Sequence, residues 1–395
     1  MKILAINAGS SSLKFQLFAM PAETVLCSGI AERIGLEMGI FTIKFNGKKE
    51  VLELPLTDHT VAVNLLLESL LKHEIIADFS EIKGIGHRVV HGGELFKDST
   101  ILDAEKVQKI ADLSALAPLH NPAHILGIKG FDAVLPDVPA VAVFDTAFHQ
   151  TMPAEAYMYA TPYEWYADYA VRKYGFHGTS HLYVSHETAK FIGKEVADSK
   201  VIVCHLGNGG SLSAVLNGES VNTSMGFTPL AGIPMGTRSG DIDPAIIPYM
   251  MQKTGQTADE IVNDLNKKSG FAGVSGISSD ARDITSAVAN GDEKAKLALD
   301  IYTKRIAQTI AAYLVDLDGC DAIAFTAGIG ENSAIIREAI CNRLGALGVT
   351  INSEVNNATQ GKAAVISEPT SAIQVVVMPT DEEVMIARDV MRLAF

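Results

Sequence analysis

The chain has little of what would mark several protein classes. Only four of its 395 residues are cysteine. Cys27, Cys204, Cys320 and Cys341 show no CxxC or other metal spacing and sit in largely apolar surroundings. They read as buried free thiols, against a disulfide framework or a thiolate metal site. Positive charge is also short: 32 Lys and Arg against 46 Asp and Glu leave a formal charge of −14, with no basic run to offset it. Nucleic acid and anionic membranes are therefore not expected partners, and any phosphate site must be local. No apolar stretch reaches bilayer length. The first apolar run follows Met1-Lys2 and stops at Asn7, too short for a signal-peptide core, so a cytoplasmic enzyme is the expectation. A Walker A lysine is missing too: Gly47-Lys48, Gly193-Lys194 and Gly361-Lys362 lack the earlier glycine and the following Ser or Thr.

What the chain does have is a small-residue turn, placed twice. In Ile3-Leu-Ala-Ile-Asn-Ala-Gly-Ser-Ser-Ser-Leu-Lys-Phe-Gln-Leu-Phe18 an apolar run enters a turn, and Leu13, Phe15 and Leu17 then alternate with Lys14 and Gln16. That pattern is a β-hairpin. Gly9 frees the backbone, Ser10, Ser11 and Ser12 bring hydroxyls beside backbone N–H groups, and Lys14 adds a cation, which together suit phosphate oxygens. Val201-Ile-Val-Cys-His-Leu-Gly-Asn-Gly-Gly-Ser-Leu-Ser-Ala-Val-Leu-Asn-Gly218 repeats the plan, with Leu212, Ala214 and Leu216 on one face. Two such hairpins half a chain apart suggest a duplicated domain with one phosphate-binding turn in each copy, facing across a cleft.

At 48% hydrophobic and 20% charged, 395 residues exceed one comfortable core, so two domains are expected. Strands are predicted at 25–34, 40–45, 84–90 and 140–144, with Asn46-Gly47 as a turn, and helices at 59–76, 103–117 and 123–134. Leu65, Leu66, Leu70 and Leu71 mark the first helix. The strand at 140–144 delivers Asp145 at its carboxyl end, where ligands sit in open α/β sheets. Tyr157, Tyr159, Tyr163, Trp165, Tyr166 and Tyr169 then mark the approach to the second domain, reading as a packed interdomain or subunit surface, with stacking on a ligand base as the alternative. A helix over 179–191 precedes the second hairpin. Residues 222–243 form a long Gly/Pro/Ser-rich loop of the kind that is more often functional than idle. Further helices are predicted at 245–253, 258–268 with Gly270 past its end, and 292–317, where Leu297, Ile301, Ile306, Ile310 and Leu314 form a core stripe. A strand at 322–325, a glycine turn Ala327-Gly-Ile-Gly-Glu-Asn332 and a helix at 333–344 invite a nucleotide. The spacing GxGxxS falls one glycine short of a dinucleotide fingerprint. A strand at 375–378 and a helix at 380–393 complete the chain. The domains are expected at 1–150 plus 380–395 and at 151–379.

Four segments put unusual polar groups into turns. Arg88 lies among apolar residues and glycines, and Arg238 in a flexible loop; an arginine so placed must find an anion. Singly, each is as readily a structural ion pair. Together with two phosphate turns they favour a shared anionic substrate. His177 and His181 lie four apart, but Gly-Thr-Ser follows His177 where a zinc protease needs its glutamate, and no third ligand is evident. A helix starting at Thr179 or Ser180 leaves His177 in the loop, pointing independently of His181. In Thr380-Asp-Glu-Glu383 the capping box takes Glu383 and leaves Glu382 the freer carboxylate. Glu382 with Asn7 or Asp145 suffices for magnesium.

Asn7-Ala-Gly-Ser-Ser-Ser-Leu-Lys14, Gly86-His-Arg-Val-Val-His-Gly-Gly93, Asp145-Thr-Ala-Phe-His149, Tyr174-Gly-Phe-His-Gly-Thr-Ser-His181, His205-Leu-Gly-Asn-Gly-Gly210, Met235-Gly-Thr-Arg-Ser-Gly-Asp241 and Gly328-Ile-Gly-Glu-Asn332 occur in the order found in acetate kinases. The chain resembles that family over its whole length. The resemblance implies an α/β fold, the duplicated two-domain acetate/sugar-kinase, Hsc70, actin (ribonuclease H-like) architecture with a central cleft. It further implies a homodimer whose 151–379 domain binds nucleotide.

Carried over, it makes Asn7 and Glu382 magnesium positions, with Mn²⁺ able to substitute. Ser10, Ser12, Lys14, His205, Leu206, Gly207, Asn208, Gly209, Asp280, Ala281, Arg282, Gly328, Ile329, Gly330, Glu331 and Asn332 become ATP contacts. Arg88 binds acetate, and Val90, Leu119, Phe176 and Pro229 surround its methyl. His177 and Arg238 stabilise the transferring phosphoryl, and Asp145 is the catalytic carboxylate. The implied reaction is reversible in-line transfer from ATP to acetate, giving acetyl phosphate and ADP. Alternatives are a propionate or butyrate kinase, an Hsc70-like ATP-gated binding module, or a polyphosphate or phosphate-ester hydrolase.

Overall fold

The protein is described by a computed structural model for residues 1–118 and 120–395. The chain divides into two compact units, Met1–Phe148 with Asp381–Phe395, and His149–Thr380. Among the described residues each unit is built on one sheet.

In the first unit the strands are β1 (Lys2–Ala8), β2 (Ser12–Ala19), β3 (Thr24–Glu32), β4 (Gly39–Phe45), β5 (Lys48–Leu54), β6 (Ile82–Val89), β7 (Thr100–Ile101) and β8 (Ala140–Phe144). Their spatial order is β5-β4-β3-β2-β1-β6-β8-β7. β1 to β5 pair antiparallel, whereas β6 lies parallel to both β1 and β8. Ile3 to Ile6 are buried throughout because β1 is a central strand covered on both faces. β2 shows one buried face, Leu13, Phe15 and Leu17, with Lys14 exposed between them.

The turn at Asn46-Gly47 takes positive φ at both residues, 47° and 74°, the geometry that a two-residue hairpin requires. It leads into β5, which sequence patterning missed. Lys48-Lys-Glu-Val-Leu-Glu-Leu54 is largely exposed, and such charge on an edge strand blocks pairing with other chains while hiding the strand pattern. The helix His59–Lys72 is capped by Asp58 and buries Ala62, Val63, Leu66, Leu67 and Leu70. Leu65 and Leu71 only flank that face. The final helix, Glu382–Ala394, packs on β6, where Gly84 and Gly86 leave room for Val390 and Ile386. Arg388 clasps Glu23 at 2.6 and 2.9 Å, and Arg392 clasps Asp98 at 2.8 and 2.9 Å.

The second unit holds β9 (Lys200–Leu206), β10 (Gly210–Leu216), β11 (Glu219–Thr223), β12 (Ala322–Thr326), β13 (Ala364–Val365) and β14 (Gln374–Val377), ordered β11-β10-β9-β12-β14-β13. Again a three-strand antiparallel meander is extended by two parallel strands. The run β3-β2-β1-β6-β8 thus matches β11-β10-β9-β12-β14, the duplicated α/β, ribonuclease H-like plan.

Several local readings need correction. The long helix Glu293–Leu317 faces the sheet with Ala295, Ala298, Leu299, Tyr302, Ile306, Ile310, Tyr313 and Leu317. Leu297 is 53% exposed, and Ile301 and Leu314 are only half-buried; the true stripe includes alanine and tyrosine, which a search for large aliphatics passes over. Gly270 opens a short helix, Gly270–Ser275, instead of ending the previous one. The glycine turn at Ala327–Asn332 is itself a helical turn. In the aromatic segment Tyr163, Trp165 and Tyr169 are exposed, at 64%, 50% and 71%.

The four thiols are unpaired and, Cys320 excepted, buried. Burial pushes Cys27, Cys320 and Cys341 up to about 12. Among the described residues no helix is long and apolar enough to cross a membrane.

Burial also keeps several imidazoles neutral. It pushes His87 down to about 3, helped by repulsion from His124, and His124 to about 3, helped by Arg88. Unfolding frees these rings to bind protons below their ordinary 6.5. Stability from this source is therefore complete above that pH and is lost as the pH falls toward 3. His87→Phe should flatten the pH dependence of the unfolding free energy by up to ~1.4 kcal/mol per pH unit between about pH 4 and 6. Denaturant titrations across that range check this, and an unchanged slope would show that His87 is not held neutral.

Candidate active site

In the first unit polar groups gather at the carboxyl ends of β1, β6 and β8. The β1–β2 turn is closed by Gly9 N–H donating to Ser12 O at 2.7 Å, with Asn7 opposite Lys14 in the ladder. Ser10, Ser11 and Lys14 are exposed and Ser12 half-buried, so hydroxyls and ammonium are open to a ligand. His59, buried at the start of its helix, holds Gly9 O through Nε2 at 2.8 Å. Nothing in its sequence position signals that role.

Arg88 leaves β6 one strand away from β8, and Asp145 follows the end of β8. The arginine donates through Nε to Asp145 Oδ1 at 2.8 Å and through Nη2 to Oδ2 at 2.7 Å. The anion that Arg88 requires is thus an aspartate that is 1% exposed. Burial opposes the charge on the guanidinium, but Asp145 outweighs it and, with Glu382 and Glu383, holds the pKa above the ordinary value. Glu382 Oε2 stands 4.0 Å from Arg88 Nε, too far for a hydrogen bond. Burial pushes Glu382 up to about 7; Arg88 and Lys14 work against this, while Asp145 and Glu383 add to it.

The capping-box reading of this helix is corrected. Asp381 is the cap, accepting from Val384 N–H at 2.9 Å, and Thr380 instead bonds Ser180 Oγ at 2.8 Å. Aspartate is the stronger cap and starts the helix one residue later. Glu383 is therefore not consumed by capping.

Val90 is 6% exposed. The segment after it is pinned by Asn121, which accepts from His91 N–H at 3.2 Å and donates to His91 O at 3.0 Å, and by Thr146 Oγ1, which accepts from Gly92 N–H at 3.0 Å. Asn121 reads in sequence merely as a helix start. Leu119 lies outside the described residues.

In the second unit the β9–β10 turn brings Leu206, Gly207, Asn208 and Gly209 to the end of the sheet, closed by Gly207 N–H to Gly209 O at 3.0 Å. A methyl built on Gly209 would lie 3.3 Å from Arg238 Nη1 and 3.7 Å from His177 Nε2. Both side chains therefore converge on this turn, where a Cβ would crowd Arg238. His177 stacks on His205, with centroids 4.1 Å apart. It caps the helix Gly178–Phe191 with φ 56°, a left-handed value costly for a side chain with a Cβ. The expectation that His177 and His181 point independently fails. The helix begins earlier than expected, and both rings meet Ser211 Oγ, at 2.9 and 2.7 Å.

Arg238 is half-buried and donates to Pro229 O at 3.3 Å, with Met235 Sδ at 3.6 Å. Among the described residues it has no carboxylate partner, and burial alone lowers its pKa. The other predicted nucleotide contacts surround the same turn. The Gly236 backbone packs on Asn208 and Ser279, and Gly207 faces Ala327. Asp280 caps the helix Ala281–Ala289 and chelates Arg282, whose Nη2 is 2.6 Å away; those hydrogen bonds pull Asp280 down to about 2. In Ala327–Asn332, Glu331 accepts from Ala327 N–H at 2.8 Å and Thr380 N–H at 3.2 Å, while Gly328 is exposed and Gly330 buried. Ile329 is half-buried, and Asn332 donates to Gly328 O at 2.9 Å. Phe176 is 2% exposed.

A duplicated ribonuclease H-like α/β fold carries a serine-rich turn at the end of one sheet and a glycine-rich turn, with Arg238 beside it, at the end of the other, and its family and relatives place it among kinases. The chain belongs to the acetokinase family, which it matches over residues 2–388. An acetate kinase of Bacillus subtilis (strain 168) is 59% identical over 395 residues, 100% of this chain and 99% of that one. The crystal structure of Porphyromonas gingivalis acetate kinase is similar with a TM-score of 0.95 at 44% identity, covering 100% of both chains. That of a propionate kinase from Francisella tularensis subsp. tularensis SCHU S4 gives 0.94 at 43%, covering 99% of each.

Asp145→Asn keeps the shape of the side chain but strips Arg88 of its bidentate partner. It should lower the unfolding free energy by about 3–5 kcal/mol, the cost of orphaning a buried charge. Urea melts check this, and unchanged stability would mean that the pair does not hold the site.

Proposed function

We propose that the chain transfers the γ-phosphoryl group of ATP to acetate, reversibly and directly, giving acetyl phosphate and ADP. The observation that carries the reading is Arg238, a half-buried guanidinium that lacks a carboxylate among the described residues and is set beside His177 and a glycine turn. Such a group is satisfied by an anionic ligand. Acetate is ionised at neutral pH, so no general base is needed. The obstacle is repulsion between a carboxylate and a polyphosphate, and positioned positive charge relieves it.

Arg88 takes the substrate carboxylate with its Nη1 edge, since Nε and Nη2 are engaged by Asp145. Asp145 accordingly aims the arginine and takes no proton. Arg238 and His177 bear the charge of the moving phosphoryl, while Lys14, Ser10, Ser12 and the segments 205–209, 280–282 and 328–332 hold the nucleotide. Val90, Phe176 and Pro229 contact the methyl.

Asn7 and Glu382 suit magnesium. Both offer oxygen donors, and Glu382 is a carboxylate that burial drives toward its neutral form and that lacks a hydrogen-bonded cation. When bound, the metal supplies charge neutralisation at the phosphates. A homodimeric, cytoplasmic enzyme belongs to the same proposal and rests on the family.

A second reading, a propionate kinase, draws on the likeness to the Francisella enzyme. One methylene in an apolar pocket is worth about 1–3 kcal/mol. The ratio of kcat/KM for acetate and propionate decides between the two.

Trapping acetyl phosphate as its hydroxamate should give product from ATP and acetate, and a chelator should abolish it. ATP hydrolysis without product would contradict the proposal. Arg238→Ala should lower kcat at least ~100-fold while nucleotide affinity changes less than ~threefold. Unchanged turnover would remove Arg238 from the transition state.

A further inference from the structure

Ser211 stands at the head of β10, 0% exposed, between two imidazoles. Its Oγ lies 2.9 Å from His177 Nδ1 and 2.7 Å from His181 Nε2. One hydroxyl proton can serve only one of them, so the direction of the chain depends on where His181 carries its own proton. His181 is 0% exposed, and among the described residues its Nδ1 has no hydrogen-bond partner. Burial, with His149 and His205 nearby, keeps the ring neutral by driving its pKa well below the ordinary value, so it bears a single N–H.

Were that N–H on Nδ1, a buried donor would be orphaned, which folded proteins avoid more strictly than an unused lone pair. The proton therefore belongs on Nε2, where Ser211 accepts it. The serine hydroxyl is then free to donate to His177 Nδ1, and a ring that accepts at Nδ1 carries its proton on Nε2. That atom faces the Gly209 turn beside Arg238. The opposite order would leave a lone pair aimed at phosphate oxygens, which repels them.

We propose that Ser211 is a positioning residue for phosphoryl transfer: it relays the His181 hydrogen bond to His177 Nδ1 and so fixes His177 as an Nε2–H donor. This rests on the assignment of His177 to the transferring phosphoryl. Stacking on His205 holds the ring plane, and the serine sets the tautomer.

The test is ¹⁵N NMR of the full chain labelled in the histidine rings, with the His177 signals assigned by their loss in His177→Asn. The wild type should show His177 protonated on Nε2 and accepting at Nδ1. Ser211→Ala should mix the tautomers and lower kcat by about tenfold or more, with KM for acetate and ATP within ~threefold. Ser211→Thr, which keeps the hydroxyl, should restore both. A wild-type His177 protonated on Nδ1 overturns the inference without recourse to any variant. So does a Ser211→Ala protein with wild-type turnover, provided His177→Asn is impaired. If His177→Asn turns over normally, the role of His177 itself is wrong and the inference falls with it.

Discussion

A guanidinium taken out of water must meet negative charge, and Arg88 in the first unit and Arg238 in the second meet that demand differently. Arg88 is answered from within the chain by both oxygens of Asp145. Among the described residues Arg238 is answered only by a carbonyl and a thioether. One arginine is thereby held by a bidentate carboxylate with its Nη1 edge to spare, and the other is left without a carboxylate among the described residues. The surrounding features follow from this difference. Glycine at 209 leaves Arg238 and His177 access to the turn, and the sheet ends place Arg88 and Asp145 where adjacent parallel strands finish.

The duplicated sheet explains why such a site can be assembled twice with different contents. In each unit an antiparallel hairpin ends beside a parallel strand, so one turn and one strand end always lie together. Serines and a lysine fill that place in the first unit, and glycines and an asparagine in the second. Two non-glycine residues in the second unit, His177 and Ala327, also hold left-handed φ, 56° and 62°. Neither is glycine, so the surrounding structure must enforce those angles.

Much of this was legible in sequence because it depends on local pattern. Both hairpins, the strand leading to Asp145 and the positive-φ turn at Asn46-Gly47 follow from alternation and turn chemistry alone. Arg88 and Arg238 stood out through their apolar and glycine neighbours, without any indication that only one would be paired. Interactions that depend on distant segments were illegible. The hold of His59 on Gly9, the pinning of His91 by Asn121, and the meeting of His177 and His181 at Ser211 join residues 30 to 50 positions apart. β5 is hidden by its edge charges, and the cap of the last helix is ambiguous in sequence because Asp381 and Thr380 both suit the position.

In the proposed reaction His177, Arg88 and Arg238 stabilise charge, and no side chain accepts the phosphoryl group. Its most direct test is the stereochemical course at phosphorus, followed with ATP made chiral at the γ-phosphate by oxygen isotopes. A single in-line transfer predicts inversion of configuration in acetyl phosphate. Retention would require two transfers through a group on the protein, with a histidine the obvious nucleophile, and would contradict the account.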